Sequence, residues 1–229
     1  MSESGKCINT VPGQPLKLPL FEFAKSQNLY HFDPDKPDDD DLILKPKFKG
    51  DWTKDVENFR SEHFNYSMEK EHMRMQHEEW NNLRYDVSRF LTKMHVNPET
   101  QPMLEKMRKH IPLDPERNIQ VQMTCQQPGQ YIPYHMDVLT STGLQPKEVV
   151  ERGRRIIVFL TDWLPGEFMV WGNTSISHWK AGWILTYPAL KYPHATANSS
   201  HHAGYRLRCS GATTQETLDW INSDEIIDL

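Results

Sequence analysis

The chain has 229 residues, 25% of them charged and 37% hydrophobic, with a formal net charge of −5. That length suits one domain with a sizeable core. No run approaches the roughly 18 consecutive apolar residues of a membrane-spanning helix, and the acidic balance gives no electrostatic reason to expect nucleic acid.

The N-terminus, "MSESGKCINTVPGQP", lacks an apolar segment of the secretory kind. Cys7, Cys125 and Cys209 are scattered, which argues against a disulfide framework or a Cys-rich zinc site. A cytoplasmic, reducing setting is expected. Residues 1 to 50 read as irregular. Their acidic run, "DPDKPDDDDL", lacks the central Gly and final Glu of a calcium loop and reads as a solvated loop.

Residues 51 to 116 read as helical. Trp52, Val56 and Phe59 mark a short apolar face, and Trp80, Leu83, Val87, Phe90, Leu91 and Met94 recur at helical spacing up to Pro98. A further helix is expected in "TQPMLEKMRKHI", with Pro102 in its first turn and Met103, Leu104, Met107 and Ile111 on one side. His72 and His77 fall on a charged, Met-rich stretch and read as exposed side chains rather than ligands.

Near residue 117 the period changes from 3.6 to 2. "NIQVQMTC" alternates Ile119, Val121, Met123 and Cys125 against Gln120, Gln122 and Thr124, the mark of a half-buried strand. "RRIIVFLTDW" reads as a buried strand, and "EFMVWGN", "WILTYP" and "GYRLRCSG" as shorter ones. Short strands divided by turn signals indicate a sandwich, jelly roll or barrel, so the fold class is mainly β with flanking helices. Thr213-x-x-Glu216 reads as a capping box before a last helix. The organisation expected is an irregular segment to 50, a helical segment from 51 to 116 packed on the core, and a β core from 117 to 229, all in one globular unit.

Within "GQYIPYHMD", His135 and Asp137 are two apart. In an extended segment they face the same way, so an imidazole and a carboxylate can enter one cavity. A second histidine would complete the two-His, one-carboxylate face of non-heme Fe(II) oxygenases. The candidates are His178, His194, His201 and His202. His194 is chosen because "YPHATAN" puts it at a strand end, as His135 is. His201 and His202 lie in a polar loop, and His178 sits at a turn. If the co-substrate is 2-oxoglutarate, its distal carboxylate needs a buried cation and a hydroxyl. "YRLRCSG" supplies Arg206, Arg208 and Ser210 on one strand face, with Arg208 preferred over Arg206.

These pieces, in this order, resemble the Fe(II)- and 2-oxoglutarate-dependent oxygenase superfamily. "QQPGQYIPYHMD" is similar to its His-x-Asp strand, "WKAGWILTYPALKYPHATAN" to the segment bearing its distal histidine, and "RLRCSG" to its Arg-x-Ser clamp. The likeness covers roughly residues 117 to 212 and is nearest the prolyl and aspartyl/asparaginyl hydroxylase branches. It implies a double-stranded β-helix with Fe(II) at its open end, held by His135, Asp137 and His194. It further implies 2-oxoglutarate and O2 as co-substrates, ascorbate as a possible reductant, and hydroxylation of an amino-acid-like or protein side chain with release of succinate and CO2. No general base is needed beyond the metal ligands. One departure is that the strand before His-x-Asp reads Met123, Thr124, Cys125, with no tyrosine for the co-substrate. A non-catalytic cupin-like binding protein is the alternative.

The segment 138 to 155 follows Asp137 directly. It reads either as a lid, with Lys147, Arg152, Arg154 and Arg155 meeting an acidic substrate and Gly143 and Gly153 as hinges, or as a solvated connection. Trp163, Trp171, Trp179 and Trp183 are expected mostly in the core.

Overall fold

The computed structural model describes residues 41–65, 92–137, 139, 142–172 and 174–229. Consecutive strands pass back and forth between two antiparallel sheets. Strands β4 (Gln120–Gln126), β6 (Gly153–Phe159), β9 (Trp183–Pro188) and β11 (Gly204–Ala212) belong to the first sheet. Strands β5 (Tyr131–His135), β7 (Glu167–Trp171), β8 (Thr174–Ile176) and β10 (His194–Asn198) form the second. The orders β9-β6-β11-β4 and β5-β10-β7-β8 are those of a jelly roll, the double-stranded β-helix. Strands β1 (Ile43–Pro46) and β3 (Thr92–Met94) extend the first sheet at its two edges.

The alternation in β4 is used in an unexpected sense. Its apolar side chains, Met123 and Cys125, join Ile156, Val158, Ile184, Leu207 and Cys209 on the outside of the first sheet. There they meet helices. Phe59 of α1 (Thr53–Asn65), Leu104 and Met107 of α2 (Pro102–Lys109) and Ile111 just beyond α2 are buried against them. Val121, half-buried, packs at the rim of the same cluster. Ile221 of α4 (Gln215–Asn222) completes the layer. Asp55 of α1 accepts the Leu104 N–H at 2.9 Å, satisfying a donor at the start of α2 that has no partner inside its own helix. The polar side chains of β4 therefore face the space between the sheets.

A second core lies between the sheets, built from Ile157, Phe159, Leu185 and Tyr187 against Met169, Trp171 and Ile176. Trp171 and Trp179 are buried, and Trp163 and Trp183 are partly so. Gly182, at the turn into β9, has φ +84°, and a Cβ there would collide with the Phe48 carbonyl oxygen, so only glycine fits.

Several expectations need correction. Residues 43 to 49 are not irregular: β1 pairs with β9, and β2 (Phe48–Lys49) pairs in parallel with β12 (Ile227–Asp228). The helical pattern ending at Met94 is a strand over Thr92–Met94, because the unsatisfied edge of β4 is there to pair with it; Trp80 through Leu91, with His72 and His77, lie outside the described residues. The last helix is capped by Thr214 and Thr217 rather than by Thr213 and Glu216. Thr213 is taken by the Arg152 carbonyl, to which its N–H donates at 2.8 Å. No helix among the described residues is long and apolar enough to cross a membrane.

The segment read as a lid or a solvated connection is, in its described residues, partly built into the fold. Pro146–Arg152 is a helix, α3, and Arg154 and Arg155 already belong to β6. Leu139, Leu144 and Val149 are buried in a small cluster with Met136, Ala189, Leu190 and Ala212. At Gly153 a Cβ would press on the Val149 carbonyl at 2.5 Å, so the close approach of α3 to the start of β6 requires glycine. Burial of these three apolar side chains favours packing of Leu139, Leu144 and Val149 on the core.

Candidate metal centre

The two sheets bring facing rows of side chains together. On the second sheet His135, His194 and Trp171 are register partners across β5, β10 and β7. On the first, Tyr187, Arg155 and Ser210 are partners across β9, β6 and β11. Asp137, two residues beyond the end of β5, lies between these rows.

His135, Asp137 and His194 each offer a ligand atom, and the three atoms lie within 4.8 Å of one another. His194 Nε2 is 3.2 Å from Asp137 Oδ2, and His135 Nε2 is 3.8 Å from Oδ1. The Nδ1 atoms are engaged elsewhere. His135 Nδ1 is 2.8 Å from the Pro133 carbonyl oxygen and His194 Nδ1 is 3.0 Å from that of Tyr192. A carbonyl only accepts, so in the neutral rings Nδ1 carries the proton and Nε2 keeps its lone pair for a metal. Trp171 stacks on the His194 ring at 4.8 Å with an interplanar angle of 4°, holding it from the side. Two imidazole nitrogens and a carboxylate oxygen on one wall are a donor set suited to a divalent transition metal, Fe(II) among them.

Asp137 is strongly held. Its Oδ2 accepts from Arg155 Nη1 and from the Tyr187 hydroxyl, the latter at 3.1 Å. Burial pushes this carboxyl up, but the Arg155 guanidinium and the two histidines outweigh it and keep it well below the usual carboxylate range. Burial, reinforced by the Asp137 charge, drives the Tyr187 phenol well above its ordinary value, so it stays protonated and donates.

The arginines sort by depth. Arg155 is 4% exposed and donates from Nε to Ser210 Oγ at 3.1 Å. Arg208 lies one pleat repeat away, opposite Ile157, and its Nη2 comes within 3.9 Å of Asp137 Oδ1. Arg206 sits a further repeat along, opposite Phe159, about 13 Å from the Arg155 row at two residues per repeat. Its guanidinium is committed to Gln126 Oε1 at 3.0 Å and to Glu167 Oε1 at 3.4 Å. Burial pulls the Arg206 pKa down to about 10 despite Glu167, and burial also raises that of Glu167. Both directions show desolvation outweighing the pair's attraction. Arg206 is thus bonded to Gln126 and Glu167, away from the row of Arg155 and Ser210.

Sequence reasoning misses two residues of this site, Arg155 and Tyr187. It puts Arg155 at the end of a lid, although Arg155 lies in a strand that reads as buried. An arginine inside such a strand is itself a signal, because a buried charge needs a partner. Tyr187 supplies a phenol from β9 rather than from the strand before His-x-Asp. The other histidine candidates lie apart: His178 is exposed, stacked on Trp163 at 4.3 Å, and His201 and His202 are exposed in their loop.

No family model matches the chain, and no curated protein matches it. Among solved structures it is similar to the viral collagen prolyl hydroxylase vCPH from Paramecium Bursaria Chlorella virus-1, in its 2OG complex, at 16% identity over 74% of this chain and 94% of that one, with a TM-score of 0.43. It is also similar to a cupin 2 conserved barrel domain protein from Leptotrichia buccalis, at 12% identity over 55% and 42% of the two chains and a TM-score of 0.32. An uncharacterized protein with a double-stranded β-helix domain from Klebsiella pneumoniae matches at 20% identity, 41% and 66% coverage and a TM-score of 0.29. The strand order described above carries the fold assignment by itself, and likenesses at this level say nothing of activity.

Proposed function

We propose that the protein is a non-heme Fe(II)- and 2-oxoglutarate-dependent dioxygenase that hydroxylates an amino-acid-like or protein side chain. The observation that carries this reading is the pairing of two features in one space between the sheets. One is the His135, Asp137, His194 group with both Nε2 lone pairs left for a metal. The other is the pair of guanidiniums, Arg155 and Arg208, beside Ser210 and facing a single carboxylate. A metal site alone would serve a binding protein, but the added cations suit a dicarboxylate ligand.

Fe(II), when bound with 2-oxoglutarate and O2, would supply an oxidative decarboxylation that yields succinate and CO2 and oxidises the substrate C–H to an alcohol. His135 and His194 would hold the metal through Nε2, and Asp137 through its carboxylate. Arg155 and Tyr187 hold the Asp137 carboxylate in one orientation. Arg208 and Ser210 bind a co-substrate carboxylate. Ile157, Leu185 and Met169, buried next to this row, exclude water from it.

The test is succinate formation from 2-oxoglutarate with Fe(II) and ascorbate, first alone and then with peptide and amino-acid panels. Metal binding without 2-oxoglutarate binding or turnover would overturn the dioxygenase reading and leave a metal-binding cupin-like protein.

A further inference from the structure

A second arginine lies on the other side of β6. Arg155 faces the space between the sheets, so Arg154, next to it in the same strand, points the opposite way. There Arg154 lines a cavity of about 390 Å³ between α3, the turn after β9 and α4. Its side chain is largely out of water, with the residue 7% exposed. Nε donates to Thr186 Oγ1 at 2.9 Å, and Nη2 donates to the Asp41 carbonyl oxygen at 2.9 Å. Both acceptors are uncharged, and Nη1 makes no hydrogen bond to the described residues. Burial pulls this guanidinium down, and Asp41 and Tyr192 raise it by less.

The other charges around the cavity are matched. Lys191 Nζ lies 2.5 Å from Asp41 Oδ2, and Arg152 is bonded to Asp114. Glu151 is exposed and lies 3.7 Å from Lys147 Nζ. Among the described lining residues, Arg154 is therefore the cation that no carboxylate meets. A buried charge without a counter-ion is costly, and the planar fork of arginine suits the oxygens of a carboxylate or a phosphate. Val150, Leu190 and Leu218 add apolar surface to the same cavity. Its volume falls within the roughly 300–1,000 Å³ of small-molecule sites, which pair apolar walls with a few placed polar groups. We propose that this cavity is a binding site for a small organic oxyanion, a carboxylate or phosphate ester on an apolar body, held by the Arg154 guanidinium. The site is separate from the metal centre, and the inference does not depend on the dioxygenase reading.

The test follows the 1H–15N spectrum of the full chain as phenyl phosphate, benzoate or neutral benzyl alcohol is added. One or both anions should move the backbone amide signals of Gly153, Leu190 and Lys191 saturably at concentrations up to about 20 mM, a range that captures millimolar affinity. Benzyl alcohol should bind there about tenfold or more weakly, since it offers no charge to Arg154. The anion that binds more tightly assigns the head group as phosphate or carboxylate. Arg154→Met keeps an apolar stem and should weaken that anion about tenfold or more, the loss expected for a donor to a charged acceptor. His135→Ala should leave its affinity within about twofold, because His135 lies on the other sheet. The inference is overturned if neither anion moves these signals, if benzyl alcohol binds as tightly, if Arg154→Met binds equally well, or if His135→Ala abolishes the binding. Should Arg154→Met fail to fold, the wild-type comparison of the anions with benzyl alcohol decides alone.

Discussion

Arg155 donates from Nη1 to Asp137 and from Nε to Ser210, so one guanidinium joins a metal-ligand candidate just beyond β5 to a clamp candidate on the first sheet. It can do so because β6 runs between β9 and β11 and presents Arg155 in the same row as Tyr187 and Ser210. The relationship gives the two arginines of the site different tasks, and those tasks can be separated by experiment.

Replacing a ligand should abolish metal binding. His135→Ala, Asp137→Ala and His194→Ala should each weaken Co(II) by at least about 100-fold, more than outer-sphere partners typically cost. The far-UV circular dichroism should be unchanged, because the sheets do not depend on these side chains. Titration of Co(II) absorbance measures the loss, and tight binding by His194→Ala would remove that residue from the centre.

The arginines should separate in kind. Arg208→Ala should weaken 2-oxoglutarate by about 100-fold, as expected when a buried charge loses its partner, and leave Co(II) affinity near that of the wild type. Arg155→Ala should weaken both ligands, since it holds Asp137 as well as Ser210. Calorimetry with Co(II), then with 2-oxoglutarate on the Co(II) form, resolves the two. Equal effects from both variants would mean that Arg155 and Arg208 share one task.

Arg206 should behave as part of the framework. Glu167→Gln leaves its guanidinium buried without a compensating charge and should cost about 3–5 kcal/mol, seen as a lower urea midpoint. The double change Glu167→Gln with Arg206→Met should recover part of that loss. A selective fall in 2-oxoglutarate affinity with unchanged stability would restore Arg206 to the clamp.

The two described cysteines should be inert near neutral pH. Burial pushes the Cys125 thiol up to about 11 and that of Cys209 up to about 12. The raised values mean that the reactive thiolate is scarce until the pH approaches them. At pH 7.5, iodoacetamide should leave both unmodified in the native protein and label both in urea, as read by peptide mass spectrometry. Rapid native labelling at Cys209 would show that the helices open off the first sheet.

The sequence by itself determined the local features. Alternation in "NIQVQMTC" and the short apolar runs after it identified strands, since period-2 patterning is a property of the extended chain alone. His135 and Asp137 could be paired because residues two apart in an extended segment share a side. Arg208-x-Ser210 was legible on the same ground. Only the tertiary structure decided which side of β4 faces the helices and which faces the site, because alternation separates two faces without saying what covers either. It also decided that Arg155 and Tyr187 reach Asp137 and that Arg206 pairs with Glu167. Those relations depend on strand register, and a shift of one residue would turn every side chain on the strand to the other face. Register is set by pairing between distant segments, β6 with β9 and β11, and by burial of Leu139, Leu144 and Val149 ahead of β6, so it is a property of the assembled sheets rather than of any one stretch of sequence.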